Sequence, residues 1–220
     1  MLELKDVTLT IVTSVKHEQN VKAMIKSMEG ISYGAVKFIS DIRPDNLSEN
    51  VEYVNCDKLS YDGFSEFTFL KLWKYIDTKF SLLVHHDGFV VRPDLWNPDF
   101  LNFDYIGAPW AYSESSYVTD DGEHVLVGNG GVCLRSKKIL ELPTQLGLAL
   151  EQRQGFYNDD GNFCVYHRKT MIENGIKYAP IELAAEFSTE ILIDGVSKES
   201  FAFHGFGHNN HEEYRKFVNG

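Results

Sequence analysis

The sequence predicts an α/β fold built on a mostly parallel central sheet with helices against it, and three observations carry that prediction. Strand-like and helix-like segments alternate through about the first ninety residues, in the order strand, helix, strand, strand, helix, strand. The apolar run Phe80–Val84 is continuous rather than alternating, as in a strand covered on both faces. No repeat, low-complexity tract or Pro/Gly-rich linker interrupts the 220 residues, so a single domain over 1–220 is expected.

Val7–Ser14 (VTLTIVTS) is β-branched and apolar and reads as the first strand. Val21, Met24, Ile25 and Met28 recur at helical spacing, with Gly30 as the stop. Val36–Ser40 and Val51–Asn55 are the next strands, and Phe67, Leu70, Trp73 and Ile76 form a helical stripe leading into the Phe80 strand. The second half is less regular. Asp104–Gly107 is a short strand-like piece, Ser113–Glu123 reads as a polar, mobile loop, and Val125–Val127 and Val132–Leu134 flank a glycine cluster. Ser136 caps a short helix with Pro143 beyond its end, and a longer helix is expected from Asp160 to about Glu173, stopping at Gly175. Phe201–Phe206 reads as an aromatic strand around His204, and Glu212–Val218 as a closing helix.

Composition narrows the function. Hydrophobic residues make up 43% of the chain, enough for a sizeable core. A formal charge of −11 disfavours nucleic acid and anionic membranes as partners, because phosphate surfaces reward basic faces. No apolar run has the length of a membrane span, and MLELKDVTL lacks the pattern of a signal peptide. Three widely spaced cysteines, Cys56, Cys133 and Cys164, argue against a disulfide framework or zinc knuckle and fit a reducing cytoplasm. A chain this acidic needs a divalent cation or a few placed Lys/Arg to bind a diphosphate.

Four segments could carry chemistry. His85-His86-Asp87-Gly88 follows the buried strand, where ligands of open α/β sheets bind. On an extended strand His85 and Asp87 would share one side; Asp87 would bind Mg²⁺ or Mn²⁺, and Gly88 would let the backbone approach a phosphate. The plain alternative is an Asp-Gly turn. Gly128-Asn129-Gly130-Gly131 lets backbone pass close to a ligand, although it fits no Walker or dinucleotide pattern and taken by itself reads as a hairpin turn. Asn158-Asp159-Asp160-Gly161 offers a general base, or only a helix cap, with Asp160 favoured over Asp159 for the chemistry. His204, between aromatic residues and glycines, could complete a metal shell with Asp87 or merely sit in the core. His208 and His211 lie in a polar tail and read as solvated. Trp110, Tyr112, Phe156 and Tyr157 flank these segments and could stack on a sugar or base.

Read in order, HDG (His86–Gly88), Trp96, DYIGAPW (Asp104–Trp110), GNGGVCLRS (Gly128–Ser136), DDGNFC (Asp159–Cys164) and FHGF (Phe203–Phe206) resemble the DUF5672 family of GT-A-type glycosyltransferases. The resemblance runs from about Tyr61 onward. It implies a single-domain GT-A, Rossmann-like fold, with about 1–107 binding a nucleotide sugar and about 108–220 receiving the acceptor. It implies a metal-dependent transferase of hexosyl type acting in surface polysaccharide or glycoconjugate synthesis, with Mn²⁺ or Mg²⁺ and a UDP-type donor.

By the same similarity Asp87 matches the last carboxylate of the family's DxD-like metal motif, and His85 stands where its first would be. His204 matches the late metal-binding histidine, Asp159 and Asp160 the acidic position near the acceptor, and Thr13, Ser14 and Val15 would lie near the base. Donor contacts are expected also from His86, Asp87, Gly88 and Gly130, with Lys71, Arg92 or Arg135 as cations on the diphosphate. Two other classes stay open: a metal-dependent hydrolase or phosphoesterase using His85, Asp87 and His204, and a catalytically silent nucleotide-sugar-binding module.

Overall fold

Strand β1, Leu2–Thr13, is buried without interruption from Val7 to Thr13, which is why its sequence lacks the polar alternation of a half-exposed strand. The computed structural model describes residues 1–111, 117–153, 155, 157–207 and 211–220. Strands β2 (Ile31–Ser40), β3 (Glu52–Asn55) and β4 (Phe80–Leu83) run parallel to β1 in the order β3-β2-β1-β4. The sheet continues past β4 with β7 (Cys133–Ser136), antiparallel to it, and then β6 (Tyr105–Gly107), antiparallel to β7 and so aligned with β4. A second sheet of three short strands has the order β5 (Gly88–Val90), β9 (Ala202–His204), β8 (Ser188–Thr189).

Helices α1 (His17–Met28) and α2 (Tyr61–Leu70) connect the parallel strands. The others are α3 (Lys137–Leu146), α4 (Asp159–Gly161), α5 (Arg168–Glu173), α6 (Ile181–Phe187) and α7 (Glu212–Asn219). The buried residues divide by sheet face. Leu9, Ile11, Phe38 and Leu82 pack with Phe89, Phe100 and Phe203; Val12, Ile39 and Leu83 pack with Phe67, Phe69 and Phe163. Neighbouring positions on each strand therefore feed opposite cores, as the pleat requires.

The first-half elements follow the sequence pattern, and the departures have local causes. The Phe67-to-Ile76 stripe is not one helix. α2 stops at Leu70 and a 3₁₀ turn, Leu72–Tyr75, carries the rest, with the Trp73 indole donating to the Leu70 carbonyl. Pro143 lies inside α3, whose end is set by Gly147 in the left-handed conformation, φ 66°. The expected 160–173 helix breaks into α4, a π turn over Asn162–Tyr166, and α5. The His167 N–H donates to the Asn162 carbonyl five residues back, while the Asn162 amide is pinned by Glu151 and Asn158. Val127, before the glycine cluster, forms an isolated bridge with Pro109. Helix α6, opened by Pro180 with Glu182 in its first turn, was not anticipated. His211 is buried rather than solvated: its ring packs on Phe203 and its Nδ1 lies 2.8 Å from the Gly205 carbonyl oxygen.

Candidate active site

β2 and β4 flank β1 on opposite sides, so the connections leaving β1 and β4 part at this point of the sheet. A crevice opens beyond such strand ends because the crossovers diverge there. Two hollows occupy it. The smaller, about 330 Å³, is walled by Thr13, Ser14, Val15, Asn20 and His86. The larger, about 350 Å³, is walled by Asp87, Trp110, Gly130, Asp159, Asp160 and His204. Tyr61, Phe64 and His85 line both and form the shared wall.

His85–Gly88 is not an extended strand end. The His85 N–H donates to the Gly88 carbonyl at 2.7 Å and the Gly88 N–H donates back at 3.1 Å, closing a two-residue turn with His86 and Asp87 at its tip. The expected strand geometry for His85 and Asp87 is thus replaced by a turn, which still brings both to the larger hollow. Gly88 starts β5 opposite His204 of β9, and the Gly205 N–H donates to the Asp87 carbonyl at 2.7 Å. This ladder brings residues 87 and 204 together.

Two glycines make room for the His204 ring. A Cβ on Gly131 would stand 2.1 Å from His204 Cδ2, and one on Gly88 2.9 Å from the same atom. Gly88 is therefore a packing glycine buried under the imidazole, not a phosphate approach, which corrects the sequence expectation. The opposite ring nitrogen, His204 Nδ1, lies 3.0 Å from Glu190 Oε1, which fixes the ring's orientation. Burial alone would lower the His204 pKa, but Glu190 and Asp87 together hold it above the usual value. Burial pushes His85 down to about 4, so that imidazole is neutral at pH 7. Burial acts to raise Asp87, yet the imidazoles of His86, His204 and His85 outweigh it and keep the carboxyl below its ordinary range.

α4 supplies the two aspartates, and they differ sharply. Asp159 lies 2.7 Å from an Arg135 guanidinium nitrogen, and that guanidinium is fully buried between the rings of Tyr105 and Phe163. Arg135 thus serves Asp159 from beneath the glycine loop and does not line either hollow, so it is no clamp on a diphosphate. Asp160 faces the larger hollow, with Oδ2 accepting from the Gly130 N–H at 3.0 Å and Oδ1 from the Gly161 N–H at 2.7 Å. Each oxygen keeps a further lone pair. Burial, followed by the Asp159 charge, raises Asp160 to about 7 despite those donors.

Thr13, Ser14, Val15, His85, His86, Asp87, Gly130, Asp159, Asp160 and His204 all reach one hollow or the other. Lys71 and Arg92 do not. Lys71 follows the far end of α2 and pairs with Glu66 at 2.7 Å, and Arg92 pairs with Asp94 and Glu199. Trp110 lines the larger hollow, stacked on Tyr117 at 3.8 Å, whereas Tyr157 lines neither. Tyr112, Phe156 and His208 lie outside the described residues. Sequence reasoning missed Asn20, Tyr61, Tyr117, Tyr166 and Glu190. Only Tyr61 had a usable signal, its place just after the Ser60 cap of α2, whose hydroxyl accepts from Gly63.

Two imidazoles and one carboxylate suit a borderline divalent ion in kind, and the Glu190–His204 contact is the outer support that metal-binding histidines have. Among the described residues, however, no three His, Cys, Asp or Glu side chains are gathered closely enough to hold a metal by themselves. Asp87 and His204 fit a cation whose remaining positions a substrate would fill.

Several solved structures share the architecture. A crystal structure of the galactosyltransferase LgtC with donor and acceptor sugar analogues is 15% identical, covers 96% of this chain and 95% of its own, and superposes with a TM-score of 0.59. An active-site mutant of LgtC gives 13% identity, the same coverage and a TM-score of 0.56. A glycosyltransferase involved in glycosylating the major capsid of PBCV-1 gives 14% identity, coverage of 97% and 99%, and 0.50. Likeness at this identity establishes the fold, which is GT-A. No curated protein matches the sequence. A family model described as a protein of unknown function matches residues 57–204, the span that holds the His85–Gly88 turn, the glycine loop, both aspartates and His204; the chain belongs to the DUF5672 family.

Proposed function

We propose that the protein is a glycosyltransferase that moves a hexosyl group from a nucleoside-diphosphate sugar, UDP-type, to a saccharide acceptor in surface polysaccharide or glycoconjugate synthesis. The observation that carries this reading is the pair of hollows sharing His85, with Asp87 and His204 both lining the larger one. The smaller hollow suits a nucleoside, the turn tip His86-Asp87 a diphosphate, and the Gly130 side of the larger hollow the sugar. Tyr61, exposed at the edge of both hollows, would take the acceptor by stacking.

The reaction displaces the diphosphate from the anomeric carbon, so charge on the leaving group must be stabilised. A divalent cation held by Asp87 and His204, with His85 beside them, would supply that charge. Asp160 would take the proton of the acceptor hydroxyl in an inverting displacement, and a carboxyl titrating at about 7 is suited to accept and release it. The metal-dependent hydrolase alternative is less well supported, since water activation by metal calls for a more complete set of protein ligands.

Calorimetric titration of UDP, GDP and CMP and their sugars, with and without Mn²⁺, followed by donor-hydrolysis and transfer assays, tests the reading. Transfer is expected, and Asp87→Ala is expected to reduce it at least ~10²-fold, the scale of losing one main electrostatic contact. Near-normal turnover in that variant would remove Asp87 from the chemistry. Nucleotide binding without any turnover would leave a binding module instead.

A further inference from the structure

Lys16 is one of two non-glycine residues with positive φ among the described residues, at φ 51° and ψ 44°. The left-handed conformation is disfavoured for an L-residue, and strain of this kind persists only where surrounding structure imposes it. Asn20 imposes it here. Its Nδ2 donates to Thr13 Oγ1, to the Val15 carbonyl and to the Lys16 carbonyl, at 3.3, 3.1 and 3.0 Å, and its backbone N–H donates to the Lys16 carbonyl as well.

The Lys16 side chain meets the tip of the other loop, with Nζ 2.8 Å from His86 Nε2. An ammonium only donates, so Nε2 accepts and the His86 proton sits on Nδ1, 3.5 Å from Asp87 Oδ1. His86 belongs to the smaller hollow and Asp87 to the larger, so this charge stands at their junction. Among the described residues neither hollow has a lysine or arginine in its lining, while Asp87, Asp159, Asp160 and Glu190 line the larger one. The undescribed segments add no basic residue beyond a histidine, since positions 112–116, 154, 156 and 208–210 contain no lysine or arginine. A second observation points to a ligand here. Asn20 lines the smaller hollow, and its buried Oδ1 has no hydrogen-bond partner, an acceptor left unmet at that wall.

We infer that Lys16 is a donor-binding residue of this chain, whose ammonium contacts the diphosphate while Asn20 Oδ1 accepts from the nucleoside. The inference rests on the transferase reading. One of the three Lys16 N–H donors is engaged by His86, which leaves two for phosphate oxygens. The αL backbone is the device that turns the side chain off the start of α1 toward that junction.

Titration calorimetry of UDP and of uridine against wild type, Lys16→Gly and Lys16→Arg, each in EDTA and in Mn²⁺, tests it. Glycine accepts φ 51° without strain, so Lys16→Gly is expected to melt no lower than wild type. It should bind UDP about tenfold more weakly or worse, the loss of one charge-assisted hydrogen bond, with a shallower salt dependence. Uridine affinity should be unchanged, and Lys16→Arg should keep most of the UDP affinity. UDP binding as tight in Lys16→Gly as in wild type, or equal losses of UDP and uridine, would overturn the assignment while leaving the transferase reading intact. Failure of wild type to bind UDP in either condition would remove the UDP-type transferase reading, and this inference with it.

Discussion

Between β1 and β4 the buried polar side chains are hydroxyls, whereas next to β7 they include a guanidinium and a carboxylate. Ser81 Oγ donates to Thr10 Oγ1 at 2.9 Å, and Thr8 and Thr78 share a hydrogen bond at 2.8 Å; these neutral pairs tie β1 to β4 and to the segment just before it without carrying charge inward. Arg135, fully buried, instead meets Asp159 and the rings of Tyr105 and Phe163. The first region is a scaffold that any well-packed residues of similar shape could replace. The second holds its geometry by opposite charges in a poorly solvated place, because Asp159 is bound to sit beside Asp160 at the cleft. The proposed chemistry thus sits where burying charge is costly.

The sharpest way to break this comparison is Arg135→Met. It leaves Asp159 buried without its counter-charge, and removing one partner of a buried pair costs roughly 3–5 kcal/mol. Denaturant unfolding should show that loss, with part of it recovered in the Arg135→Met/Asp159→Asn double variant. A loss under about 1 kcal/mol, the range of exposed pairs, would show that the β7 side is no more charge-dependent than the other.

Asp160→Asn comes next. With Asp160 as general base, transfer should rise with pH and level off above about 7, and the variant should lose at least ~10²-fold in turnover while keeping donor affinity. Collapse of donor affinity instead would reassign the residue to the donor. Stability gives an independent reading. The Asp160 pKa is higher in the folded protein than the ordinary 3.8, so the folded state holds this proton more tightly. Its contribution to stability is full below about 4 and is lost as pH rises through about 7. The asparagine variant should therefore gain stability relative to wild type at pH 8 and not at pH 4, as thermal melts at the two values would show.

The same contrast governs what the sequence could disclose. β1, α1, β2, β3 and β4 were legible because each buries a continuous or helically spaced apolar set, and periodicity registers that directly. The His85–Gly88 segment, the glycine loop and His204 were legible as motifs, though not in their roles. Gly88 and Gly131 are fixed by the bulk of the His204 ring, a contact between segments far apart in sequence that no local pattern encodes. Arg135 looked like a phosphate ligand because nothing along the chain reveals that β7 is buried on both faces with Asp159 below the loop. Glu190 and Asn20 carry no motif, and only the meeting of β8, β9 and the β1–α1 turn gives them a place at the cleft. The π turn after α4 was invisible too, since Asn162 reads as an ordinary helical residue until its amide is seen bonded to Glu151 and Asn158.

On the scaffold side Ser81→Ala provides the matching measurement. It deletes one hydroxyl of a neutral pair, and Thr10 Oγ1 retains a contact to the Thr8 carbonyl at 3.3 Å. The expected loss is about 0.5–1.5 kcal/mol, well below that of Arg135→Met, with donor binding and turnover unchanged. A loss as large as the arginine's would erase the distinction between the two regions.

The smallest effect should come from Lys71→Ala, and its size sharpens where the positive charge for the donor resides. Lys71 is exposed, follows the end of α2 remote from Tyr61 and Phe64, and has its ammonium on Glu66. Exposed pairs of this kind contribute little because solvent screens them and two long side chains must be held still. Stability should shift by no more than about 0.5 kcal/mol, and UDP affinity should be unaltered at both low and high salt. A salt-dependent loss of UDP binding would mean that long-range potential, rather than contact at the β1 and β4 ends, gathers the diphosphate. The charge argument would then have to move from the Lys16–His86 junction to the surface of the scaffold half.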